Sequence, residues 1–297
     1  MDKKLFSYSL FEPKSLPQHR YWDKWKQQSD RYWYNIPSLM LTNTILFPNY
    51  EIVFYVSENV WDNPLSSILN ILEDSFEHFT VQTVRMDYQL TEPAIWRMMP
   101  LWYWDVSILH ARDIDSLPSR EELLYIKGFE ESSCCVGTIR SHENHHGVAC
   151  RMLAGLSSFK PNQIPLSIRG PDFNYYYSQK HQRYGSDQDL MVHFFTQDSS
   201  FTEEYFLDYK ISNQHHKQVF PCKELDDSRV ELTLTSDQNE VLSTIESLHP
   251  VEWLGEPCDA RGEYMNFIFS KFSAVKELID NNKILKSFYT RKEVFNG

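Results

Sequence analysis

Positive charge is scarce in this chain. Its 297 residues carry 29 Lys plus Arg against 41 Asp plus Glu, a formal net charge of −12. That balance argues against a dominant footprint on a nucleic-acid backbone, which needs a basic face, although a locally basic groove is not excluded by it. Cysteine is sparse and unpatterned. There are five, with no Cys-x-x-Cys pair, and Cys134-Cys135 are adjacent, which suits neither zinc nor an ordinary disulfide. With Cys150, Cys222 and Cys258 they read as reduced thiols, and the expected location is cytoplasmic. Met1-Asp2-Lys3-Lys4 leads into too few apolar residues for a secretory core, and no apolar run approaches a membrane span. A Gly-Lys-Ser/Thr phosphate loop is missing, which places a phosphotransferase last among nucleotide chemistries. Internal repeats and low-complexity linkers are also absent.

What is present is an aromatic-rich core. Hydrophobic residues make up 41% and aromatics 15%, with 8 Trp, 17 Tyr and 19 Phe. Such side chains line sugar and base pockets, but core packing accounts for most of them. The pattern alternates. Residues 5–10, 51–56, 81–86, 106–111 and 134–140 are strand-like, and 18–35, 36–47, 65–79 and 187–195 are helical by spacing. The stretch 226–244 is polar and weakly patterned. The segment from Phe267 is Lys-rich and helix-prone. Strands alternating with helices predict an α/β fold with a mostly parallel, covered sheet.

Residues 112–116, Arg-Asp-Ile-Asp-Ser, close the strand-like run at 106–111. Asp113 and Asp115 are two apart, a spacing that aims both carboxylates at one point on a turning backbone. A hard divalent cation takes such oxygens and completes its shell with phosphate and water. A strand end is also where open α/β sheets keep their ligand crevice. The competing reading is a helix N-cap, with Asp115 or Ser116 capping and Glu121-Glu122 in the first turn.

Six pieces stand in a telling order. Arg97-Met98-Met99-Pro100-Leu101 resembles an Arg-x-x-Pro-Leu motif, and Arg112 to Glu122 resembles an arginine, acidic pair, serine and acidic helix. Ile139-Arg140-Ser141-His142 resembles an Arg-Asp-His turn, and Leu153 to Phe159 a Gly-Gly-Met-Trp-Gly strand. Tyr184 to Asp189 resembles a Tyr-Gly-x-Asp-Gln block, and Trp253-Leu254-Gly255-Glu256 a Val-Gly-Gln motif. Across residues 5–265 the chain therefore resembles a family of GT-A-fold, glycosyltransferase-like proteins of bacteria and viruses. It departs from that pattern at Ser141, where Asp is usual, and at Ala154-Gly155, where Gly-Gly is usual. It departs again at Ile211-Ser212-Asn213, where a His-Asp pair is usual and His215-His216 stand nearby.

The resemblance implies a GT-A domain over 1–265 with a helical tail over 266–297. It also implies a metal-dependent glycosyltransferase that moves a sugar from a nucleotide-sugar donor to an acceptor hydroxyl. Mn²⁺ or Mg²⁺ is then expected at Asp113, Asp115 and His215. Donor contacts are expected from Arg97, Arg112, Asp113, Arg140, His142 and Gly155, with Asp187 and Gln188 beside the transferred sugar. The acceptor is expected to be a glycan or other hydroxyl compound, a hydroxylated DNA nucleobase being a further candidate; for a viral chain the cytoplasm is the host's. Against each role stands a plainer one: an ion pair of Arg97 or Arg112 with Asp87 or Glu92, an N-cap at Asp187, a surface pair at His215-His216. The competing function is a non-catalytic nucleotide- or glycan-binding protein on a decayed transferase scaffold.

Overall fold

The computed structural model describes residues 3–12, 22–84, 93–103, 105–139, 155–165, 206–209, 223–250 and 254–290, with backbone alone at 22–31, 206 and 208. Its strands are β1 (Lys3–Leu10), β2 (Glu51–Ser57), β3 (Phe79–Val84), β4 (Val106–Arg112), β5 (Val136–Ile139), β6 (Leu156–Phe159), β7 (Phe206–Tyr209) and β8 (Lys223–Glu224). They form one sheet of eight, in the order β3-β2-β1-β4-β6-β5-β7-β8. Among these strands β6 alone runs against its neighbours, antiparallel to β4 and to β5. This is the mostly parallel α/β sheet that the alternation predicts.

The central strands β1, β2 and β4 are covered on both faces. Phe6, Tyr8 and Leu10 of β1 face one core, with Ile52, Phe54 and Val56 of β2. Leu5, Val53 and Tyr55 face the other, against Ile95, Trp96, Met98 and Leu101 of the 3₁₀ stretch Pro93–Trp102. The first core is closed by helices α1 (Trp22–Leu46), α2 (Ser67–Ser75) and α3 (Arg120–Glu131). It is completed by α4 (Ser236–Leu248), α5 (Glu263–Lys271), α6 (Ser273–Asn281) and α7 (Lys283–Tyr289). The C-terminal helices belong to that core: Tyr264, Ile268, Ile279, Leu285 and Phe288 are buried in it. No described helix is long and apolar enough to cross a membrane.

Several elements differ from the pattern expected of the sequence. The helices expected at 18–35 and 36–47 are one, with Pro37 inside it. Proline lacks the N–H that would bond the carbonyl four residues back. That carbonyl belongs to Trp33, and the Tyr289 hydroxyl donates to it at 3.0 Å. A partner from the far end of the chain replaces the missing donor. Next, the helix expected to reach Phe79 stops at Ser75 because the His78 carbonyl accepts from Ile52 N–H at 2.7 Å, drawing this segment into the sheet. The strand expected at 134–140 begins two residues later, at Val136. Finally, the polar stretch around 236 is a helix opened by a capping box, in which the Thr235 hydroxyl accepts from Gln238 N–H while the Gln238 side chain accepts from Thr235 N–H. The Thr-x-x-Gln spacing was visible in the sequence.

One buried group makes the fold sensitive to acid. His110 of β4 lies under Phe6 and shares a 2.6 Å hydrogen bond between Nδ1 and the Ser158 hydroxyl. Burial, with Arg112 and Lys4 nearby, lowers its pKa to about 3. From its ordinary 6.5 down to about 3, the unfolded chain takes a proton that the folded chain refuses. Stability is therefore complete above pH 6.5 and falls on acidification, with a limiting slope of about 1.4 kcal/mol per pH unit from this residue. Urea unfolding at pH 7, 6 and 5 should show stability falling more steeply with acid in the wild type than in His110→Gln. Parallel profiles would contradict it.

Candidate active site at the carboxyl edge of the sheet

Because β1, β2 and β4 run parallel, their carboxyl ends share one edge. The reversed strand brings its beginning to that same edge: Arg112, last in β4, pairs with Leu156, first in β6. Sheet register thus sets Gly155 beside Asp113, although they are far apart in sequence.

The contact is close. A Cβ on Gly155 would overlap the Asp113 carboxylate, lying 2.8 Å even from the more distant Oδ1. The carboxylate rests on the glycine backbone, and only glycine leaves it room. Arg97 closes the other side. Its N–H donates to the Ser9 hydroxyl at 2.9 Å, and Ser9 donates to the Ala94 carbonyl at 3.1 Å, so β1 fixes the 3₁₀ stretch that carries it. The Arg97 Nη1 donates to the Arg112 carbonyl at 3.3 Å and forms an ion pair with Asp113 Oδ1. The Arg97 side chain is 7% exposed and that of Asp113 50% exposed, so a buried cation holds a carboxylate whose other side faces solvent.

Asp115 is 7% exposed. Its carbonyl accepts from Cys258 N–H at 2.8 Å, which brings the loop 254–262 onto the acidic turn. Gly255 of that loop has φ +79, and a Cβ there would stand 2.8 Å from Leu156. Pieces of four sequence motifs therefore meet at one point: Arg97, Asp113 with Asp115, Gly155 and Gly255.

The capping alternative for Asp115 and Ser116 does not hold. The N-cap of α3 is Ser119, whose hydroxyl accepts from Glu122 N–H at 3.2 Å. Nor is Arg112 turned toward the edge. Its Nη2 donates to Glu122 Oε2 at 2.6 Å, and both side chains are buried. Burial pushes the Glu122 carboxyl above its usual range, and Arg112 pulls it back. The Arg112–Glu122 bond, and Glu12 at the end of β1, escaped the sequence reading. Glu122 had been seen there only as a first-turn acid.

Arg140, His142, Asp187, Gln188 and His215 lie outside the described residues, as do Asp87, Glu92, Trp253 and His216. Ile139, last in β5, and Leu156, first in β6, both lie at this edge. Among the described residues no three His, Cys, Asp or Glu side chains gather in a metal-binding group. The acidic turn supplies two carboxylates, and that of Asp113 is held by the Arg97 guanidinium. That donor set fits a hard divalent ion only if phosphate oxygens and water supply the rest of its shell, a common arrangement for Mg²⁺.

No model of a known protein family matches the chain, and no curated protein does. Among solved structures the chain is similar to 4-diphosphocytidyl-2C-methyl-D-erythritol synthase from Anaerococcus prevotii. The identity is 10% and the TM-score 0.38, over 83% of this chain and 100% of that one. So slight a likeness carries no argument about activity, and the topology rests on the strand pairings themselves.

Proposed function

We propose that this edge binds a nucleoside-diphosphate sugar and passes the sugar to an acceptor hydroxyl. The observation that carries the proposal is the acidic turn at the end of β4, with Asp113 clamped between buried Arg97 and Gly155, and with Asp115 not used as a helix cap. The motif resemblance supplies the glycosyl chemistry. Asp115, with Asp113, would hold Mn²⁺ or Mg²⁺, which when bound neutralises charge on a departing diphosphate. Arg97 fixes Asp113 and keeps positive charge beside the diphosphate. Asp113, half-exposed and immobilised, is placed to accept hydrogen bonds from donor hydroxyls. Arg140, His142, Asp187, Gln188 and His215 retain the roles the resemblance implies.

A donor-turnover assay tests this reading. With Mn²⁺ and UDP-, GDP-, CDP- or dTDP-glucose, the protein should release nucleoside diphosphate from one donor. Asp115→Asn should lower that rate on the order of 100-fold or more, the scale of removing one electrostatic stabiliser of the transition state. Release from none of several sugar donors, or an unchanged rate in Asp115→Asn, would overturn it. The second reading, a binder without turnover, is favoured by the guanidinium already held on Asp113. It predicts binding of the same nucleotide without release.

A further inference from the structure

Three consecutive residues of α1 join the C-terminal helix to the acidic edge. Trp33 is the first. Its carbonyl, left without a helical donor by Pro37, accepts from the Tyr289 hydroxyl of α7. Its indole N–H donates to Glu12 Oε1 at 3.1 Å, an atom that also takes a 2.6 Å bond from Asn63. Glu12 stands just past the carboxyl end of β1. Tyr34 is the second. Its ring stacks on Phe288 of α7, with centroids 4.4 Å apart, and the Arg261 guanidinium lies 3.5 Å from its centroid. Asp259 holds that guanidinium at 2.6 to 3.1 Å. Asn35 is the third, and it bonds the loop main chain on both sides, donating to the Cys258 carbonyl at 2.8 Å and accepting from Ala260 N–H at 3.0 Å. Ser38, one turn on, donates to the Ala260 carbonyl at 3.2 Å. The same loop then holds the Asp115 carbonyl through Cys258 N–H.

We infer that α7 is a positioning element of the site. Phe288 and Tyr289, docked at the Pro37 break, fix the middle of α1. Through it they fix the loop 258–261 and the main chain of Asp115, together with the carboxylate of Glu12. A helix with an ordinary backbone at this point would satisfy its own carbonyl, and α7 would have no polar hold on it. The break gives α7 a polar hold on α1. Phe288 stacks on Tyr34 and Tyr289 bonds Trp33, so both act through α1.

The test uses Tyr289→Phe in two backgrounds, wild type and Pro37→Ala. Alanine restores the N–H for the Trp33 carbonyl, so the hydroxyl should matter only when Pro37 is present. The first readout is amide hydrogen exchange at Cys258 and Ala260, with Leu109 of β4 as the global reference. Tyr289→Phe should speed the two loop amides by about tenfold or more at an unchanged Leu109 rate, and Pro37→Ala should cancel that gain. Loop exchange that is unchanged, or that rises only in step with Leu109, overturns the inference. The second readout rests on the function proposed above: affinity for UDP, GDP, CDP and dTDP in the presence of Mn²⁺ should fall several-fold in Tyr289→Phe and recover in the double variant. Faster loop exchange with unchanged affinity makes Tyr289 structural only and overturns the positioning role. If the wild type binds none of the four, the donor reading fails, and the exchange experiment still decides the coupling.

Discussion

Replacing Arg112 with methionine should cost the fold about 3–5 kcal/mol, because it strands the Glu122 carboxylate in the core. Glu122 is 1% exposed and its Oε2 is held by Arg112 at 2.6 Å. A native domain has only about 5–15 kcal/mol to lose. The loss carries a signature in pH. Burial already raises the Glu122 carboxyl, and Arg112 is what opposes it. Without the guanidinium the folded-state pKa rises further above the unfolded value. Between those two values the folded chain binds more protons than the unfolded chain, so stability falls as pH rises. Arg112→Met should therefore be closest to wild type at pH 5 and furthest from it at pH 8. The double variant Arg112→Met/Glu122→Leu should recover most of the loss, since two apolar groups of similar bulk replace a buried pair at little net cost. Urea unfolding of the three chains at the two pH values checks this. A loss of under 1 kcal/mol, or one insensitive to pH, would show that the pair is not sealed as described.

The second large effect is at Gly155. Substitution by alanine puts a methyl group where the Asp113 carboxylate lies. Either Asp113 leaves Arg97 or the start of β6 is pushed from its pairing with Arg112. Overpacking of this kind costs about 1–3 kcal/mol. The telling comparison is with Asp113→Ala. In that background the obstruction is gone, and Gly155→Ala should cost close to nothing more. A full cycle of melting temperatures measures the coupling between the two positions. Additive losses would place the glycine's importance elsewhere.

The sequence pattern identified strands where the signal was local. β1, β2 and β4 are short β-prone stretches rich in apolar residues, and that signal is visible without a partner. The Asp113–Asp115 spacing and Arg97 were legible as a polar constellation, and Gly155 as a small residue in a strand-like stretch. That Gly155 stands beside Asp113 was not legible, because it follows from the reversal of β6, and nothing in Leu156 to Phe159 states its direction. That the helices expected at 18–35 and 36–47 are one was not legible, because the donor that Pro37 lacks is supplied by Tyr289, which no window around Pro37 contains. Asp115 and Ser116 looked like caps because residue type does not say which of several polar side chains the helix will use; the structure gives that place to Ser119. Only α4 was a failure of reading rather than of information, since Thr235 and Gln238 carried the signal.

The measurement that bears most directly on the central claim is calorimetric titration of UDP, GDP, CDP and dTDP into the protein, with and without Mn²⁺, for wild type and Asp115→Asn. One nucleotide should bind tightly only with the metal, and that binding should be lost in Asp115→Asn. Binding of none, or binding indifferent to both the metal and Asp115, would contradict the assignment of this edge as a metal–diphosphate site.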